Sequence, residues 1–341
     1  MRSEEFSKVG LEVFKNARIS IKEWVQITTM NRDAMSLRNG VKISLRGNEK
    51  IEVVVNSLIG VGYNLFAYLV DVLDVKCVLK EFFPEGMYEK GLITRVDSSV
   101  RLKKTLCSWI EWKKEARRFV FAAKVAQQLC GFPNISSCIV KLRGCYRGNG
   151  TLYTLSLHED GVAWDKLKNE TIEHILSVCV SIASMTEEMH KLGWLMVDIK
   201  SSNYLVKDMD NIVEVRMVDF DSIVLLNKIS KTSKFRCSPE TAPKELMQSD
   251  NLNIGVHSDL CCIAKMLLLK LSDYRFEKDD EKTFYKFASA KLQHWSSTRQ
   301  ECLMHLISEV LSNSSYGLKI SCGEFANKLR YINENTNWSN S

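Results

Sequence analysis

The sequence predicts an α+β chain, a small β-rich lobe followed by a larger α-helical lobe. Three observations carry this. Runs of β-branched and aromatic residues crowd the stretch from Ile51 to about residue 83, beginning with IEVVV. After about residue 165 the apolar residues recur at helical spacing. The four prolines, Pro84, Pro133, Pro239 and Pro243, must lie in loops or at element ends, because proline breaks both helix and ladder hydrogen bonding.

Taken in order, residues 1–48 are rich in basic side chains, among them Arg2, Lys8, Lys15, Arg18 and Lys22. Val9, Leu11, Val13 and Phe14 suggest one short amphipathic helix, and Ile21, Trp24, Val25 and Ile27 another. This stretch is assigned to an N-terminal extension. IEVVV is a strand, SLIGVGYNLFAYLVDV reads as strand, glycine turn, strand, and VKCVLKEFF is a third. Residues 109–130 have helical spacing, and short strands follow around Val140–Tyr146 and Leu152–Leu157. Helices are expected at 171–192, 257–272, 279–294, 299–312 and 322–331. The last opens with a capping box, Ser321 with Glu324 three residues on. The polar run 333–341 reads as a frayed tail.

Composition narrows the function classes. Hydrophobic residues make up 45% of the 341 and charged residues 26%, ordinary globular usage that excludes wholesale disorder. The net charge of +6 permits contact with nucleotide phosphates but does not point to a nucleic-acid binder. No apolar run reaches the roughly 18 residues of a membrane span, and the N-terminus is too charged for a signal peptide. A soluble, cytoplasmic protein is expected. Eleven scattered cysteines form no C-x-x-C pair, so reduced thiols are expected rather than zinc ligands.

The chemistry-bearing residues come in a set. Gly60 and Gly62 lie between two strand-like runs, where glycines let backbone N–H groups approach an anion. Lys80 ends an apolar strand and needs a counter-charge, which Glu115 on the following helix could supply. Taken singly, these residues are more often a plain turn, an edge-strand lysine and a solvated glutamate. In LMVDIKSSN, Asp198, Lys200 and Asn203 fall in D-x-K-x-x-N spacing. A carboxylate there can orient a hydroxyl and take its proton, the lysine can neutralise a phosphoryl group, and the amide oxygen can hold a metal. Sixteen residues on, Asp219 ends a second apolar strand and offers magnesium a hard oxygen ligand.

In this order the motifs resemble the signature set of the eukaryotic-type protein kinases over about residues 51–331. IGVGYN resembles the glycine-rich loop, VLK the strand of the phosphate-pairing lysine, LMVDIKSSN the catalytic loop and DFD the magnesium motif. Ser238-Pro239-Glu240 and Ala242-Pro243-Lys244-Glu245 resemble the end of an activation segment, and HSDLCCIAKMLLLKL the buried helix that Asp259 opens. The segment after Lys80, EFFPEGMYEKGLITRVDSSV, is similar to one in bacterial serine/threonine kinases. The resemblance implies a bilobal protein-kinase-like fold, with an N-lobe at 49–158 and a C-lobe at 159–332. It also implies ATP and Mg2+ as cofactors and a protein hydroxyl as substrate. It makes Asp198 the base, Asn203 and Asp219 the metal ligands, and Leu157 to Glu159 the adenine-binding hinge with Ser156 in the gatekeeper position.

The sequence also departs from that pattern. Leu65 stands at the third glycine, Met196 and Val197 replace histidine and arginine, Asp221 replaces the last glycine of DFG, and Lys244 interrupts APE, with Lys319 the candidate partner of Glu245. Without an arginine at Val197, weak dependence on phosphorylation of Ser230, Thr232 or Ser233 is expected. Three readings stay open: an active serine/threonine kinase, a pseudokinase scaffold, and a small-molecule kinase. The SPE/AP segment and the Asp259 helix speak against the last.

Overall fold

The computed structural model describes residues 32–209, 212–229, 235–247, 254–272, 286, 288–312 and 320–335. The two helices expected before residue 30 and the hydroxyl residues Ser230, Thr232 and Ser233 lie outside them, as does Lys319. The chain divides into two compact units, one of Met1–Gly131 with Val140–Glu159, the other of Phe132–Ile139 with Asp160–Ser341.

The first unit is built on a closed barrel of six antiparallel strands in the order β1-β2-β3-β4-β8-β7. These are β1 (Lys42–Arg46), β2 (Lys50–Gly62), β3 (Leu65–Val72), β4 (Val75–Phe82), β7 (Leu142–Gly148) and β8 (Thr151–Leu157). Alternation sends Ile43, Leu45, Val53, Val55, Phe66, Tyr68, Val70, Cys77 and Leu79 inward. β1 was assigned to the extension. It pairs with β2 from Lys42–Val54 to Arg46–Lys50, so the barrel begins inside 1–48. Met35 and Leu37 before it are also buried.

β3 and β4 meet in a two-residue turn, Leu73 and Asp74, both at positive φ (47° and 65°), the backbone that matches strand twist in a tight hairpin. The insert after β4 forms a short helix, α1 (Glu85–Glu89), and a small hairpin, β5 (Ile93–Val96) with β6 (Ser99–Leu102). The long helix α2 (Leu106–Leu129) follows. Thr105 caps it, accepting the Ser108 N–H at 3.1 Å, and Trp112, Ala116, Phe119 and Val120 form its buried face.

One feature of this unit had no signal in the motifs. Glu81, fully buried beside Lys80, accepts hydrogen bonds from Tyr68 Oη (3.0 Å) and Tyr153 Oη (2.9 Å) and pairs with Arg95. Arg95 also donates to the Met35 carbonyl, while Tyr68 Oη accepts the Leu37 N–H at 3.0 Å. A buried charge pair persists only when its remaining hydrogen-bonding positions are filled. Here β3, β4, β5, β8 and the segment before β1 each supply a group.

The second unit opens with α3 (Pro133–Ser136), where Pro133 occupies the first helical turn. It is mainly helical: α4 (Ile172–Lys191) packs against α6 (Val256–Ser272) and α8 (Cys322–Glu334), and α7 (Ser297–Ser312) packs against α6 and α8. The capping box is present, with Glu324 N–H to Ser321 Oγ at 3.2 Å and Ser321 N–H to Glu324 Oε2 at 2.8 Å. Of the helix expected at 279–294, only 286 and 288–294 are described, ending in a 3-10 turn at Leu292–His294. Small sheets complete the unit: β9 (Val162–Ala163), β11 (Tyr204–Met209) and β12 (Ile212–Met217) in one, β10 (Trp194–Leu195) and β13 (Val224–Leu225) in another. No helix among the described residues is long and apolar enough to cross a membrane. All eleven cysteines are free thiols. Cys77, Cys179, Cys261, Cys262 and Cys322 are buried and Cys107 is exposed.

Candidate active site

The second unit carries Asp198, Lys200 and Asn203 on the loop between β10 and β11, and Asp219 just after β12. After α4, Gly193 takes φ +78° and donates its N–H to the His190 carbonyl, which turns the chain into β10. Asp259, in the first turn of α6 and fully buried, then holds the loop. Its Oδ2 accepts the Met196 N–H and its Oδ1 the Val197 N–H, both at 2.8 Å, and His190 Nε2 lies 2.9 Å from Oδ2.

Val197 sits at φ +66°, a region a β-branched residue rarely enters. Such a conformation persists only where the surroundings over-determine it. Here the Asp259 carboxylate takes its N–H, and its side chain is buried. Met196 is buried, and its Sδ accepts the Thr186 hydroxyl at 3.4 Å.

The loop then presents Asp198. Its Oδ2 lies 2.8 Å from Lys200 Nζ, and its Oδ1 accepts the Ser238 N–H at 2.7 Å. Lys200 thus provides a cation at Asp198 where Val197 offers none. The Ser238 contact joins the SPE segment to Asp198 through the Ser238 backbone N–H. No residue-type signal could have announced it.

Asn203 donates Nδ2 to the Asp198 carbonyl at 2.8 Å, and its own carbonyl accepts the Val218 N–H at 2.9 Å. With the amide nitrogen so used, Oδ1 is the atom this side chain has for a cation. Asp219 Oδ1 accepts the Asp221 N–H at 3.3 Å. Asp198, Asn203, Asp219 and Asp221 line one small pocket with Met196 and Met217. The donor set, carboxylate and amide oxygen, fits a hard cation. Among the described residues no three His, Cys, Asp or Glu side chains converge into a complete metal cage. Magnesium commonly takes one or two protein ligands and completes its shell with phosphate and water.

Around the pocket, burial and the nearby Asp198 charge push the Cys237 thiol up, so it stays protonated near neutral pH. Lys265 of α6 donates to the Ala242 carbonyl at 2.8 Å, fixing the Ala-Pro segment. That role for Lys265 was not legible beforehand.

The first unit holds the other candidates. Lys80 lies on β4 between β3 and β8, opposite Ala67 and Thr154. It alternates with buried Leu79 and Glu81 and is itself half-buried. Glu115 is on the inner face of α2, 8% exposed, and accepts from Arg118 Nη1 at 3.3 Å. Gly60 and Gly62 end β2. A Cβ would meet only ordinary contacts there, 3.7 Å from Ala67 Cβ and 3.5 Å from Leu65, so packing does not require glycine at either place. At the expected hinge, Leu157 donates its N–H to Lys141 and His158 to Lys76, both at 3.1 Å. These two donors serve the fold, and Glu159 follows them.

A scan against protein-family models gives no match, and a search of curated proteins gives none. Solved structures do match. A double mutant of the PknI kinase domain from Mycobacterium tuberculosis superposes with a TM-score of 0.55 at 17% identity, covering 88% of this chain and 100% of that one. Vaccinia related kinase 3 superposes with a TM-score of 0.57 at 12% identity, covering 91% and 95%. At such identities the likeness speaks for architecture: the chain is protein-kinase-like, with the fold of protein kinase domains.

Proposed function

We propose that the protein is an ATP- and magnesium-dependent serine/threonine kinase acting on a protein hydroxyl. The observation that carries the reading is the grouping of Asp198, Asn203 and Asp219 around one pocket, the first two on a loop held by Asp259. Magnesium, when bound, would neutralise charge on the nucleotide phosphates, with Asn203 and Asp219 as its protein ligands.

The residues divide the remaining work. Asp198 orients the attacking hydroxyl and accepts its proton as the bond to phosphorus forms. Lys200, 2.8 Å from Asp198, pairs with that carboxylate and offers positive charge to the transferring phosphoryl group. In the first unit, Lys80 and the backbone around Gly60 and Gly62 are the groups suited to phosphate oxygens. With the Leu157 N–H committed to Lys141, the Leu157 carbonyl and the Glu159 backbone are assigned to adenine. Lysine in D-x-K-x-x-N favours serine/threonine over tyrosine specificity in the family the sequence resembles.

The test is incubation of the pure protein with labelled ATP and magnesium, beside Asp198→Asn and Asp219→Asn. Asp198→Asn should abolish transfer while leaving ATP affinity within a few-fold, and Asp219→Asn should also weaken magnesium-dependent nucleotide binding. A wild type that binds Mg·ATP but transfers nothing to any protein would replace the catalyst with a scaffold. A wild type without a thermal shift at millimolar Mg·ATP would remove the nucleotide reading altogether.

A further inference from the structure

We propose that the outer stripe of α2 docks the protein peripherally on an anionic lipid surface. The helix has 24 residues, about 36 Å at 1.5 Å per residue. At about 100° per residue, Leu106, Ile110, Lys114, Arg117, Phe121 and Lys124 fall within roughly 80° of arc on the face away from Trp112, Ala116 and Phe119. Side chains on that arc are exposed. Leu106 is 72% exposed, Ile110 53% and Phe121 42%, and the three cations are exposed as well.

The stripe is unlike an ordinary solvated helix face in two ways. A solvated face mixes acids and bases at i,i+4 spacing, whereas this arc has no acid. The helix carries two, Glu111, which pairs with Lys90 at 2.6 Å, and Glu115 on the buried side. The charge is also concentrated. Residues 101–124 hold eight basic side chains against two acidic, a balance equal to that of all 341 residues. Exposed Lys103 and Lys104 stand just before the helix, and Lys113 lies over the Trp109 ring at 4.6 Å.

Charge complementarity calls for an anionic partner, and the interleaved aliphatic side chains favour a bilayer among anionic partners. At a headgroup boundary, leucine, isoleucine and phenylalanine enter the acyl margin while lysine and arginine meet lipid phosphates and carboxylates. A phosphate-lined nucleic-acid groove gains nothing from an exposed leucine. A partner helix would have to bury Lys114 and Arg117 in the middle of its seam.

The experiment is co-sedimentation of the full chain with phosphatidylcholine vesicles, with and without phosphatidylserine, across a salt series. Binding should require phosphatidylserine and fall as salt rises. Lys114→Gln/Arg117→Gln/Lys124→Gln should weaken partitioning about a hundredfold, at about fivefold per charge. Leu106→Ser/Ile110→Ser should weaken it too. Both variants should keep the wild-type melting temperature, since every altered side chain is exposed. Lys42→Gln/Lys76→Gln, exposed but off the stripe, should bind as wild type does. Absence of phosphatidylserine-dependent binding, or undiminished binding by the triple variant, would overturn the proposal. So would stripe-dependent binding to poly-glutamate or RNA without binding to vesicles.

Discussion

Replacing Asp259 with alanine isolates what holds the loop between β10 and β11. The carboxylate accepts two buried backbone N–H groups at 2.8 Å, from Met196 and Val197, which are 4% and 1% exposed. Hydrogen bonds to a charged acceptor contribute about 1.5–3 kcal/mol each, so Asp259→Ala should cost about 3–6 kcal/mol. Domains are stable by only about 5–15 kcal/mol, and the change should therefore consume much of the second unit's margin. Asp259→Asn keeps one acceptor oxygen and should lose about half as much. A second consequence concerns geometry. The φ of +66° at Val197 carries roughly 1–3 kcal/mol of strain. Without the carboxylate the loop can relax to ordinary backbone and carry Asp198 with it. Urea unfolding followed by far-UV circular dichroism measures the first effect, and phosphoryl transfer at a temperature where the variant is folded measures the second. A loss below about 1 kcal/mol for Asp259→Ala would refute the claim that this side chain fixes the loop.

Other expectations can be checked with the same material. Glu81→Ala should cost about 3–5 kcal/mol, because Arg95 stays buried without its counter-charge; Glu81→Leu combined with Arg95→Met should be milder, read from urea midpoints. Iodoacetamide on the native protein near pH 8 should modify Cys107 first and leave Cys77, Cys179, Cys261, Cys262 and Cys322 unmodified, as resolved by peptide mass spectrometry. Desolvation pushes the Cys145 thiol from 9.0 up to about 11. Its contribution to stability is therefore complete below about pH 9 and lost as pH rises toward 11, and Cys145→Ala should flatten the melting temperature over that window.

Much of the architecture was legible because its signals are local. The period of α2 and α4, the Ser321 capping box and the β-branched runs of β2 to β4 each lie within one short stretch of chain. β1 was missed because KISLR is short, half polar and set among basic residues, although Asn39-Gly40 and Gly47-Asn48 mark turns on either side of it. The β5–β6 hairpin was missed because ITRV and SVRL are short and half polar, and its turn uses Asp97 at φ +54° rather than glycine.

In the site, the D-x-K-x-x-N spacing led to Asp198 and Asn203, which line one pocket with Asp219, and to Lys200, which pairs with Asp198. What could not be read was anything made by backbone or assembled from afar. The Ser238 N–H carries no side-chain signature. A strained Val197 contradicts residue preference. Glu81 meets Arg95 and Tyr153 from 14 and 72 residues away.

The placement of β1 decides where this chain can be shortened. It pairs along five residues with β2 and reaches β7 only at Arg46–Arg147. A protein begun at residue 49 would keep most of the β-rich sequence and still lose closure. β2 and β7 would become bare sheet edges, each with a row of unsatisfied amides and carbonyls ready to template another copy. Met35 and Leu37 would go as well, uncovering the apolar rim they now seal. Such a truncation would trade a closed barrel for an open, self-associating sheet, with concentration-dependent aggregation as its signature.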